Sequence, residues 1–306
     1  MATRTLDRRP TATAERPWER SEVRRPSPTR HWRSVVRFTI LTVLAVFWAA
    51  PVAWMVLTSL KPEAQTISDP PRWFPERLGD FTLENYDNVL FYPRGIDLFQ
   101  AFENSLLVAV AGTVLTLLIN VPAGYVFARM RFPGRDLLFA IVIASLIVPG
   151  EILLVPNYVT IWKLGWLNDY KSLILPPLAS AFGVFLMRQF MLGIPRELED
   201  AAKLDGAGHF RILLNIVIPS TRGAIAALGI FTFLFYWNEF TWPYITINQA
   251  DRMTLPVALI QFRADFLNTY GLQMAGAAIS ALPAVAVFLV AQRMIIRSIT
   301  LTGIKG

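Results

Sequence analysis

The stretch "RELEDAAKLDGAGHFRILLNIVIPS", Arg196–Ser220, places four carboxylates, Lys203 and His209 between two long apolar runs. Its local grammar is helix, glycine turn, helix. Pro195, just ahead of it, suits a first helical turn, where its missing N–H would be unpaired anyway. Glu197, Glu199 and Asp200 fall in the early turns, where the helix dipole favours negative charge. Lys203 falls nearer the end, where the dipole favours positive charge. Gly206 can adopt the left-handed conformation that closes a helix. Phe210, Leu213, Leu214 and Val217 then recur at helical spacing, with Pro219 close behind. Two readings fit this pattern. One is a solvated loop helix. The other is a helix whose small face, Ala201 and Ala202, enters a cleft on a partner.

The surroundings identify the setting. Of the 306 residues, 54% are hydrophobic and only 17% charged, and the mean hydropathy is +0.43. Soluble domains carry about 25% charged residues, so the balance points to a membrane protein. Six runs approach the roughly 20 apolar residues that a helical span needs. They are Val35–Leu60, Ser105–Phe127, Leu137–Thr160, Ser172–Met191, Thr221–Ile247 and Met274–Ile296. The first is too long, and its leader too long, for an ordinary secretory signal. Prolines interrupt several runs, among them Pro122, Pro149, Pro176, Pro177 and Pro283. They are compatible with kinked packing or with a bundle bent around a pathway. The small-residue stretches Ala109–Val114 and Ala275–Ala281 suit close helix contacts.

Basic residues orient the chain. Arg129, Arg131 and Arg135 follow the second run, Arg188, Arg196, Lys203, Arg211 and Arg222 surround the opening stretch, and Arg293, Arg297 and Lys305 lie near the C-terminus. All fall on the side of the Arg-rich N-terminus. N- and C-termini are therefore expected in the cytoplasm, with the opening stretch a cytoplasmic loop. Residues 1–33 are rich in Arg, Pro and Thr and poor in apolar side chains, which reads as a disordered tail rather than a nucleic-acid arm. Cysteine is absent and the two histidines are far apart, so thiol chemistry and the usual zinc sites lack their ligands. No metal site or catalytic residue is expected.

Glu199–Pro219, "EDAAKLDGAGHFRILLNIVIP", resembles the EAA loop of ABC importer permeases. Asp200, Ala201, Ala202, Asp205, Gly206 and Ala207 match its first positions, and Ile216–Pro219 its last. "AAPVAWMVLTSLKP" (Ala49–Pro62), "LIVPGEILLVPNYV" (Leu146–Val159), "LGWLNDYKSLILP" (Leu164–Pro176), "WNEFTWP" (Trp237–Pro243) and the terminal "GIKG" resemble sugar-importer permeases of the maltose-permease type. There are two departures: Asp200 stands where the family has glutamate, with Glu199 adjacent, and Ser298 stands where the family has glycine.

The resemblance implies an all-α membrane protein with six transmembrane helices and the type I ABC importer permease (MetI-like) fold. It implies a permease domain over residues 34–306, a family core from about residue 100 to about 297, and the coupling loop at 195–219. Glu199, Asp200, Ala201, Ala202, Asp205, Gly206 and Ala207 would couple to an ATPase. The implied partners are a second permease subunit in a heterodimer, two ATP-binding subunits and an extracytoplasmic sugar-binding protein or lipoprotein. The implied location is the bacterial inner membrane. The chain itself would bind no cofactor: it has no G-x-x-x-x-G-K-[ST] phosphate loop, so ATP and Mg belong to the partner ATPase.

Within the spans, ionisable groups are costly and usually functional. Glu151, and Glu239 beside Tyr236 and Asn238, are candidates to line a sugar path. Anchoring at the outer membrane boundary is the other reading of the same residues. Disaccharides, glycerol phosphate and other polyols are all compatible. A self-contained secondary transporter would use intramembrane carboxylates as ion relays, but it has no need of a docking helix.

Overall fold

The computed structural model describes residues 28–67, 70–91, 97–265 and 269–302. Residues 1–27 of the expected tail, and the terminal GIKG, lie outside the described residues. Residues 28–33 do not continue that tail: they open a helix, with Pro28 at the terminal position that proline favours.

Every regular element described is a helix. Apart from short 3-10 turns, in chain order they are α1 (Pro28–Ser59), α2 (Glu84–Phe91), α3 (Leu98–Arg129), α4 (Arg135–Ser145), α5 (Leu154–Lys163), α6 (Tyr170–Ile174), α7 (Ala181–Leu192), α8 (Arg196–Leu204), α9 (His209–Ser220), α10 (Arg222–Asn238), α11 (Thr241–Thr246), α12 (Leu255–Asp265) and α13 (Tyr270–Thr302). The chain divides into two compact units, Met1–Val52 and Ala53–Gly306.

Among the described residues, three helices are single, long and apolar enough to cross a membrane: α1 over Ser34–Ser59, α3, and α13 over Tyr270–Val290. The other expected spans are broken. The third run folds as α4 and the segment Gly150–Lys163, which meet at 93°. Pro149 stands at that corner, where it cannot donate a hydrogen bond and disfavours helix in the residue before it. The fourth run is not one helix. α6 stops at Ile174, Pro176 and Pro177 follow, and α7 restarts with Ser180 accepting a bond from Gly183 N at 3.1 Å. At 1.5 Å per residue α7 is about 18 Å long, short of the roughly 30 Å hydrocarbon layer. The fifth run ends as a helix at Asn238 rather than reaching Ile247, and α9 enters it at 81°.

α3 is the axis of the larger unit, and a core forms around each of its halves. One contains Val108, Ala109, Phe233, Trp237, Ala258 and Ala275; the other contains Tyr125, Met187, Met191, Ile212, Val217 and Leu228. Ala109 and Ala275, from the two small-residue stretches, are fully buried. Gly124 lets α3 and α7 touch: a Cβ there would stand 2.5 Å from Met187 Cβ and 3.1 Å from Arg188 N. The proline break also frees carbonyls that must be satisfied inside an apolar bundle. Asn120, buried on α3, donates through Nδ2 to Leu178 O in that break and to Thr116 O, both at 2.7 Å.

Candidate functional site

α8 begins after Pro195, which caps the helix in extended conformation instead of occupying its first turn. The helix ends in a Schellman motif. Gly206 N donates to Lys203 O at 3.0 Å and Ala207 N to Ala202 O at 2.9 Å, while Gly206 has φ +80°. This pairing satisfies the last carbonyls and requires the left-handed residue that glycine supplies. α9 follows, with a π-turn over Leu213–Val217, and bends into α10 at the buried Thr221. Thr221 Oγ1 donates back to Val217 O at 2.8 Å.

The two faces of α8 differ. Ala202 is half-buried against the second core, as is Ala207 beyond the turn. Glu199, three residues before Ala202, is the only buried residue of the helix. Ala201, Asp200, Lys203 and Asp205 are exposed, and Asp200 pairs with Lys203 at 2.9 Å. Leu198 and Leu204 flank Ala201 at i±3 on the exposed side, and Leu204 is 91% exposed. Neither leucine is among the residues that the coupling-loop resemblance singles out. Their signal is an apolar series at helical spacing inside a charged segment.

Glu199 therefore does not join the exposed residues with which its position groups it. Its Oε1 lies 2.9 Å from Nε of Arg129, the last residue of α3, and both side chains are about 95% buried. Arg129 Nη2 also donates to Met191 O at 2.6 Å and to Ile194 O at 2.5 Å. Met191 is in the last turn of α7 and Ile194 in the link that follows it, and Met191 O also accepts from Ile194 N at 3.2 Å. Next to this cluster, Tyr125 OH and His209 Nδ1 are 3.2 Å apart.

The second group of candidates lies around the other core. Gly150, Glu151, Pro176, Pro177, Tyr236 and Glu239 are among the residues that line a cavity of roughly 440 Å³. Each broken run thus contributes the residues of its break. Tyr236 OH donates to Ile174 O at 3.0 Å and Trp242 Nε1 to Ser172 O at 2.7 Å. Glu239 Oε1 accepts from Trp242 N at 3.0 Å. Asn238 is not among the lining residues: it is exposed, and its Nδ2 bonds to Leu234 O of its own helix. Among the described residues no cluster of three or more His, Asp or Glu could hold a metal ion.

The sequence profile of the family described as binding-protein-dependent transport system inner membrane component matches residues 120–301. The chain is 32% identical to the arabinooligosaccharides transport system permease protein AraQ of Halalkalibacterium halodurans, over 92% of this chain and 99% of that protein. It is 30% identical to the lactose transport system permease protein LacG of Rhizobium radiobacter, over 88% and 95%. It is also 30% identical to the sn-glycerol-3-phosphate transport system permease protein UgpE of Brucella abortus, over 88% and 96%. Its fold is similar to a chain in the crystal structure of a bacterial ABC transporter involved in alginate import. The TM-score is 0.74 at 22% identity, covering 87% of this chain and 98% of that one.

Proposed function

This chain belongs to the family of binding-protein-dependent transport system inner membrane components, and from that premise we propose that it is the permease subunit of an importer for an oligosaccharide or related polyol. As an ABC importer permease it is a transport subunit and not an enzyme, and ATP is hydrolysed by separate subunits. The family decides against a self-contained secondary transporter. In our reading the chain sits in a bacterial inner membrane with both termini in the cytoplasm. Six membrane crossings, several of them broken, make up residues 34–306. It pairs with a second permease and two ATPase subunits and receives its sugar from an extracytoplasmic binding protein.

The observation that carries the coupling mechanism is the exposed face of α8. Leu198, Ala201 and Leu204 form an apolar ridge among charges, closed by a left-handed glycine. Such a helix end suits a cleft on a partner. ATPase closure would push this ridge, and the bent spans would open the cavity to one side and then the other. The cavity lining holds Glu151 and Glu239 and no Lys or Arg. That favours an uncharged sugar over a phosphate-bearing polyol, because a carboxylate repels a phosphate at short range.

Two experiments test this. Ala201→Trp adds bulk at the docking ridge and should release the ATPase subunit in pull-downs while leaving the permease in the membrane. Full retention would remove the docking reading. Titration of the cognate binding protein should show binding of an arabino-oligosaccharide or lactose, and none of sn-glycerol 3-phosphate. The reverse order would overturn the substrate class.

A further inference from the structure

We propose that Arg129 is a positioning residue that locks the coupling helix α8 to α3 and α7, so that the three move as one body. The inference rests on the reading of α8 as the docking helix, and adds how displacement of that helix reaches the spans.

Apart from the half-buried Ala202, and Ala207 beyond its turn, packed against the second core, α8 has little else to hold it. Glu199 is its only buried residue. On one side it joins α7 through the short Gly193–Pro195 link, and on the other it ends in the glycine turn. A helix held by two such links would rock when a partner pushed it, and the links would absorb the motion. Arg129 closes that gap. One guanidinium meets the Glu199 carboxylate of α8, Met191 O in the last turn of α7 and Ile194 O in the link between α7 and α8, while its own backbone is the last turn of α3. Nη2 serves the two carbonyls while Nε faces the Glu199 carboxylate as an ion pair, a span that the planar guanidinium allows and the point charge of a lysine does not. Positive charge at the C-terminus of α3 also matches the helix dipole. Because both side chains are nearly fully buried, salt screens the pair much less than a surface bridge. α3 carries the motion onward: Val108, on the cavity wall, lies about 32 Å along the same helix at 1.5 Å per residue.

The test uses the assembled transporter. Removing one partner would strand the other charge in the interior, so the informative variant is the doubly neutral Arg129→Gln/Glu199→Gln. Spin labels on cysteines replacing Glu197 in α8 and the exposed Leu118 in α3 report the separation of the two helices, in a chain with no cysteine of its own. With Arg129 and Glu199 in place, the distance should be narrow and unchanged between the nucleotide-free and the ATP–vanadate-trapped complex. In the double variant it should broaden and shift on trapping, with the ATPase subunit still retained. Arg129→Lys should not restore the narrow distance, whereas a role that required only charge would be rescued by it. A narrow, unshifted distance in the double variant overturns the proposal. So does release of the ATPase at unaltered distance, which would make Glu199 a docking residue. The docking reading is tested separately, by Ala201→Trp, and fails only if that variant keeps its ATPase.

Discussion

Adjacent carboxylates have opposite fates here. Glu199 turns into the protein and pairs with Arg129, whereas Asp200 stays in water beside Lys203. Composition and charge order make both legible as members of one charged helix, and neither indicates which one points inward. Gly206 is different, because its role is written in its identity. No atom lies within 4 Å of where its Cβ would be, yet its φ is +80°. A side chain there meets conformational strain rather than a clash. Gly206→Val should cost about 1–2 kcal/mol locally, leave the protein in the membrane, and abolish transport because the coupling helix no longer ends where it must. Uptake equal to the unmodified protein would show that the turn is dispensable. Asn120→Leu removes the donor that serves Leu178 O. Leu178 O would keep only its bond from Ser180 N at 3.0 Å, and the loss of one buried hydrogen bond costs about 0.5–1.5 kcal/mol, read as a lower midpoint of thermal unfolding in detergent.

At the scale of elements, breaks matter as much as helices. The prolines that interrupt the third and fourth runs are legible in the sequence, and the corners appear where they stand. That the breaks converge on one cavity is not legible, because proline specifies where a helix stops and not what the stop faces. The contact between α3 and α7 is equally specific. Gly124→Ala would drive its methyl into Met187 Cβ and the backbone of Arg188, neither of which is a flexible tip. Overpacking of this kind costs about 1–3 kcal/mol. It should lower thermal stability more than an alanine at Gly150, where no atom lies within 4 Å. The cap of α6 gives a pH-dependent expectation. Asp169 accepts from Lys171 N at 3.0 Å, and that bond, followed by the Lys171 ammonium, holds its carboxyl below the ordinary 3.8. A depressed folded value means that the stabilisation is present above the unfolded pKa and is lost as pH falls through the folded one. Relative to Asp169→Asn, the native protein should lose its advantage only on acidification below about pH 4, measured as the difference between the two unfolding midpoints across pH.

For the whole molecule, the division of labour with a partner is the main consequence. The chain has no phosphate loop and its family is a transport subunit, so the purified permease should hydrolyse no ATP until ATPase subunits are added. Turnover by the chain alone would contradict this. A cysteine in place of Ala201 should react with aqueous thiol reagents in the isolated permease and be protected in the assembled transporter. Equal labelling in both would leave the α8 ridge in water.

What the sequence determined by itself is local and periodic. It specified the charged helix, its glycine stop, the apolar runs and the positions of their breaks, because dipoles, φ preferences and missing N–H groups act within a few residues. It also singled out Glu151, Tyr236 and Glu239, which the fold brings to one cavity, because charge and aromatic edges are conspicuous in apolar runs. Only the tertiary structure decided the phase of each helix. It set Asn238 apart from that cavity, turned Glu199 inward, and raised Arg129 from one loop cation among three to the junction of three helices. The period of a helix is set by its own backbone. Which of its faces is buried depends on segments far away in the chain, whose packing no local pattern contains.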